Sequence, residues 1–197
     1  MNNKLWRGME RISDLLILNL LVIVFSVPLI TAGAAMTALH GVCLQMVKNE
    51  EGPIIRCFIK VFRRNLRQSI PITVILLGGW IFLLLQLILL WQVNSLICGI
   101  LIMGMTVLLA ETIFVFPLLA FFENKSLAMM TNAILILIKY PSKTLLILTT
   151  TIFCILITLA TQKTIIIGAV MWSLFGVSTL IYLHSFVMRT ILDDLSI

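Results

Sequence analysis

Three side chains in this sequence could do chemistry inside a hydrophobic environment: Glu111, His40 and Asn19. Glu111 interrupts an otherwise uncharged run from Ile97 to Phe122. An ionised carboxylate in hydrocarbon is costly, so such a group marks either a functional site or a neutral, hydrogen-bonded packing contact. His40 lies in a second apolar run and can reach a similar depth, and Asn19 can join the same polar cluster. Together they suit a proton- or solute-responsive site, as in a small autonomous transporter or channel. The competing reading is a protonated Glu111 that fixes helix packing. A single acid within the runs is few for a proton relay. His184 is expected nearer the membrane surface.

A second group of residues is basic. Arg56, Lys60, Arg63, Arg64 and Arg67 recur on one side of Ile54 to Ile70, while Ile54, Ile55, Phe58, Ile59, Phe62 and Leu66 recur on the other. That is the spacing of an amphipathic helix, with Pro53 at its first position and Glu50 and Glu51 near its positive end. It is expected to lie in the membrane interface with the basic face toward lipid headgroups or a partner. Anchoring the topology would need the same charges. Ser126 to Tyr140 reads as a second such segment, and "NLRQSIPITVIL" and "LIKYPSKTLLIL" are alike enough to suggest a parallel repeat.

The elements that carry these residues are membrane helices. The chain has 197 residues, 61% hydrophobic and 11% charged, against about 25% charged in soluble domains. Mean hydropathy is +1.16. One membrane domain over 1–197 is expected. The net charge of +6 lies beside apolar runs, which points to membrane lipids and not to nucleic acid. Cys43, Cys57, Cys98 and Cys154 form no CxxC pair and have no histidine at ligand spacing, so neither a metal site nor a cofactor is expected. No nucleotide-binding, hydrolase or metalloprotease motif occurs, and the expectation is a non-enzymatic protein.

Leu15 to Val47 carries no charge and would make a helix about 50 Å long, against a hydrocarbon core of about 30 Å. Basic residues on both flanks require it to enter and return. "SVPLITAGAAMTALHG" is therefore a turn: Pro28 breaks the first helix, Thr31 is expected to cap the next, and Gly33 eases the passage. Both arms are short, so a re-entrant hairpin is open as well as two full spans. A signal peptide ending at Ala32-Gly33-Ala34 would export the basic cluster, so no cleavage is expected. Gly33, Thr37 and Gly41 form a small-residue stripe suited to close packing within the protein or to a dimer seam.

Further spans are expected from Ile70 to Trp91, Ile97 to Phe122, Thr144 to Ala160 and Ile165 to Val187. Turns are expected at Gln92-Val93-Asn94-Ser95 and Thr161-Gln162-Lys163-Thr164. The expected fold is an all-α polytopic bundle of about six membrane helices, the first two a short hairpin, plus two cytoplasmic interfacial amphipathic helices. Both termini and every basic residue but Lys163 then face the cytoplasm.

Asn19, "VPLITAGAAMTAL" and "CFIKVFRRNLRQSI" together resemble the YesL-like family of bacterial membrane proteins, domain of unknown function 624. The shared pattern is Asn19, Pro28, Thr31, Gly33, Ala34, Ala38, Phe58, Phe62, Asn65, Leu66 and Arg67. His40 departs from it, standing where a larger aromatic residue is expected. The match is good over about the first 75 residues; "FPLLAFFENKSL" also fits. The resemblance implies a plasma-membrane protein of Gram-positive bacteria, associated with carbohydrate uptake. Its implied partners are carbohydrate ABC transporter subunits or another membrane protein. It supplies no catalytic residue.

Overall fold

The structure is a computed structural model that describes residues 2–91, 95–122 and 126–195. The expected turn at Gln92-Val93-Asn94 and Lys125 lie outside the described residues, as do the side chains of Lys4, Arg7 and Lys163. The described chain is helical almost throughout: α1 (Asn2–Ser26), a short turn of 3-10 helix (Leu29–Thr31), α2 (Ala32–Lys48), α3 (Ile54–Leu90), α4 (Ser95–Phe121), α5 (Ser126–Lys139), α6 (Pro141–Leu159), α7 (Gln162–Met171), a π turn (Trp172–Gly176) and α8 (Val177–Leu195).

The hairpin expected from Leu15 to Val47 is present as α1 and α2, and its arms are unlike. α2 is the axis of the bundle, packed by α1, α3, α4 and α8. Two-thirds of its most apolar window is buried in protein, against 11–17% for the other long apolar helices. Small residues make this possible. A Cβ at Gly33 would lie 1.8 Å from Thr73 Oγ1, and one at Gly41 would lie 3.0 Å from Val61 and 3.4 Å from Ala120. The stripe of Gly33, Thr37 and Gly41 is thus spent inside the molecule, on α3 and α4, with Thr37 fully buried. Its hydroxyl donates to the Gly33 carbonyl at 2.8 Å, so it does not face the packed surface unsatisfied.

Pro28 sits in the chain reversal as expected. Thr31 does not cap α2 with its side chain. Its hydroxyl instead reaches backward, 2.7 Å from the Phe25 carbonyl and 2.8 Å from that of Pro28. The end of α1 leaves carbonyls without helical partners, and the hydroxyl serves those in place of an α2 amide.

The largest departure from expectation is α3. The interfacial helix and the following span are one helix of 37 residues, continuous through Pro71 and about 55 Å long. Pro53 is the residue before it. The apolar face of its first half packs on α1 and α2. Phe58 is fully buried and stacks with Phe62, and both contact Phe25 of α1. Burying two aromatic rings against neighbouring helices also fixes the helix direction, which a loose interfacial helix would lack.

The second expected interfacial segment is α5. Met129, Ala133 and Ile136 are buried with Phe114 and Leu118 of α4, while Ile134, Leu135 and Ile138 are exposed on the other side. Apolar on both faces, it has no basic face to lay on headgroups. Unlike α3 at Pro71, the chain breaks at Tyr140, where φ is −123° and ψ 61° before Pro141 begins α6. Lys139 and Lys143 both sit over the Tyr140 ring.

Five helices are long and apolar enough to cross a membrane; they begin at Leu29, Ile54, Ser95, Pro141 and Thr164. α1 is not among them, because Glu10, Arg11 and Asp14 shorten its apolar part. The last span includes the π turn at Trp172–Gly176 and runs on past the expected Val187 to Leu195. Thr161 and Thr164 cap α7 reciprocally, as a capping box does at a helix start.

Candidate functional site

Polar side chains inside the bundle fall into separate groups. Asn19 joins α1 to the π turn. Its Nδ2 donates to the carbonyls of Trp172 at 3.0 Å and Ser173 at 2.7 Å, and its Oδ1 accepts from the Ser178 amide at 3.1 Å. The Ser178 hydroxyl donates back to the Leu15 carbonyl at 2.8 Å. A π turn displaces backbone groups from their usual helical partners, and Asn19 supplies donors and an acceptor at that place.

His40 is buried on α2, within electrostatic reach of His184 on α8. His184 Nε2 lies 2.9 Å from the Thr150 hydroxyl on α6. The Thr150–His184 contact ties α6 to α8, as does the ion pair of Lys143 with Asp194 at 3.6 Å.

Glu111 stands apart from both groups. α2 and α4 run in the same direction, since Gly33 meets Phe116 and Gly41 meets Ala120. Glu111 is nine residues before Ala120, so it lies about 13 Å along the bundle from the level of His40. It is 9% exposed, and among the described residues no hydrogen bond or ion pair reaches it. The structure does not bring Asn19, His40 and Glu111 into one cluster.

A carboxyl with no hydrogen-bond partner in an apolar helix surface costs stability whichever protonation state it adopts. Glu111→Leu is accordingly expected to stabilise the fold by roughly 1–3 kcal/mol. Thermal unfolding in detergent measures this, and a lowered midpoint would mean that the carboxyl has a bonding partner after all.

At the end of the bundle that carries the basic residues, the charges divide into two kinds. Some are structural. Arg64 donates to the Ala120 carbonyl at 2.8 Å and Arg189 to the Leu44 carbonyl at 2.9 Å, each placing a cation at the negative end of a neighbouring helix. Arg11 bonds Asn49 Oδ1 at 2.6 Å and pairs with Glu51, tying α1 to the turn after α2. Asn49 ends α2 in the left-handed region, at φ 55°, which asparagine tolerates better than most residues. The others are outward-facing. Arg56, Lys60, Arg63 and Arg67 are exposed, and no hydrogen bond or ion pair within the described residues holds them.

Sequence reading grouped Arg64 with the other four, although it alone points inward. It missed the π turn and the roles of Ser178, Thr150 and Arg189. No local signal marks a carbonyl that only a distant helix can reach. His184 and Asn19 were visible as polar residues in apolar runs, but their partners were not.

Residues 15–87 match the family model described as "Protein of unknown function, DUF624". The matched segment begins in α1, includes all of α2 and extends through most of α3, which is the part of the chain where the resemblance was read. No curated protein and no solved structure matches the chain.

Proposed function

We propose that this protein is a non-enzymatic membrane scaffold or accessory component, docking a partner through the basic half of α3. The supporting observation is the unbroken course of that helix. Arg56, Lys60, Arg63 and Arg67 project from a rod whose opposite face is packed into the bundle, so the charges keep fixed spacing relative to the membrane. A preorganised array loses less conformational entropy on binding than a mobile one. Each basic group near an anionic surface is worth about 1 kcal/mol, enough for four to orient an acidic partner or anionic lipid.

In this proposal that end, with both termini, faces the cytoplasm from the plasma membrane, a reading supported by the basic residues gathered there. The resemblance to the YesL-like family adds carbohydrate uptake as the setting and ABC transporter subunits as the partner class.

The test is affinity purification from native membranes in mild detergent, comparing the wild type with a variant in which Arg56, Lys60, Arg63 and Arg67 are glutamine. Arg64 is left in place because it bonds the end of α4. A stoichiometric membrane partner is expected with the wild type and lost from the variant, at an unchanged unfolding temperature. Retention by the variant, or no partner with the wild type, would overturn the proposal.

A further inference from the structure

The α1–α2 hairpin does not reach as far as its neighbours. Its returning helix begins beside Thr73, where a Cβ at Gly33 would lie 1.8 Å from the Thr73 hydroxyl. From Thr73, α3 continues to Leu90, about 25 Å further. α4 returns beside that extension, with Gly79 against Leu108 and Gly104 facing Leu83. On the other side, α6 and α7 form a second arm beyond the level of His184. Among the described residues the two arms make no extended contact with one another.

Charge boundaries give the same depth independently. Arg67 on α3 is exposed and precedes Thr73 by six residues, about 9 Å. On α1 the last charge is Asp14, leaving only Leu15 to Ser26 as apolar helix. That is about 18 Å, short of the ~20 residues needed for a crossing.

The tip itself is built for hydrocarbon. Val27 is 76% exposed and Leu29 69%, with Ile30 also exposed. Irregular backbone exposed to lipid is disfavoured by every polar group it leaves unpaired, and is otherwise found where protein covers it. Here the Val27 amide donates to Val24, the Thr31 amide to Pro28 and the Ala32 amide to Leu29, and Pro28 has no amide hydrogen, so the Leu29 and Ile30 amides are the two of the reversal without an acceptor among the described residues. The Thr31 hydroxyl serves the Phe25 and Pro28 carbonyls.

We propose that α1 and α2 form a half-membrane wedge whose apolar tip, Val27 to Ile30, ends among the lipid acyl chains instead of emerging with the α3–α4 turn. The occupant of the tip surface is lipid. Side chains there are aliphatic and exposed, and the tip carries no charge that would recruit another protein. The bundle is then unequal in the membrane: one half is filled by α2 and its neighbours, and the other by two separate arms.

Single cysteines at Leu29 and Trp91, both exposed, test this in sealed vesicles, with the unaltered chain as blank for the native thiols. A membrane-impermeant maleimide is expected to modify Trp91→Cys from one side and Leu29→Cys from neither until detergent is added. A bimane placed on Leu29→Cys in detergent and carried into nanodiscs should be quenched strongly by lipids brominated in the acyl chain, and weakly by aqueous iodide. Modification of Leu29→Cys from the same side as Trp91→Cys would establish two full crossings. Modification from the opposite side would put the tip outside the membrane. Either result overturns the wedge, as does iodide quenching that exceeds quenching by the brominated chains.

Discussion

Replacing Gly33 with alanine is expected to lower the unfolding temperature of the detergent-solubilised protein by roughly 3–10 °C, from an overpacking cost of about 1–3 kcal/mol. The new Cβ would sit 1.8 Å from Thr73 Oγ1, well inside any real contact. Thr73 cannot easily turn away, because its hydroxyl donates to the Ser69 carbonyl at 2.7 Å and the residue is buried. Relief therefore needs α2 and α3 to move apart along their whole contact, loosening Gly41 against Val61 as well. The compensating experiment is Thr73→Ala on the Gly33→Ala background. Removing the hydroxyl leaves the Phe116 ring at 3.0 Å as the nearest obstacle, and a large part of the loss should return. No recovery would show that the cost of the alanine lies elsewhere than in this contact.

Asn19→Leu is expected to be the most damaging single change in the polar interior. It strands the carbonyls of Trp172 and Ser173 and the amide of Ser178, the three groups that the Asn19 amide satisfies. Each buried orphan costs about 1–3 kcal/mol, so a loss on the order of 3 kcal/mol or more follows even with partial repair. The route to repair is for the π turn at Trp172–Gly176 to rewind toward α-helix, which would rotate α8 relative to α7. Asn19→Asp separates shape from hydrogen bonding. It keeps an acceptor for Ser178 but turns an oxygen toward two carbonyls, and should be at least as destabilising as leucine. Unfolding midpoints of the two variants equal to that of the wild type would mean that the π turn does not depend on Asn19.

Much of the architecture is legible in the sequence because the membrane imposes simple rules. Long uncharged runs must be helices, and basic flanks on both sides of Leu15 to Val47 force a hairpin. Pro28 marks its turn, and small residues at Gly33, Thr37 and Gly41 announce a close-packed face. The polar candidates Asn19, His40 and Glu111 are equally visible, since each is out of place among apolar neighbours. Less legible is how each is used. An amphipathic pattern in Ile54 to Leu66 describes one apolar face and cannot say whether lipid or protein covers it, because both offer an apolar surroundings. Proline at 71 and proline at 141 look alike in sequence. The first is absorbed within α3 and the second stands at the start of α6.

What the sequence by itself determined is the membrane class, the hairpin, the places of the turns and the list of residues that cannot be inert in an apolar setting. What only the tertiary structure decided is partnership and how far each helix runs beside its neighbours. Asn19 belongs to the π turn, His184 to Thr150, and Arg64 to the end of α4, while no hydrogen bond reaches Glu111 among the described residues. The hairpin stops beside Thr73 while α3 runs on to Leu90. These are facts of register between helices that are distant in sequence. They are fixed by which side chains are small enough to let backbones approach and by which carbonyls a neighbouring helix can reach. Hydropathy measures how well a segment avoids water, and has no term for either.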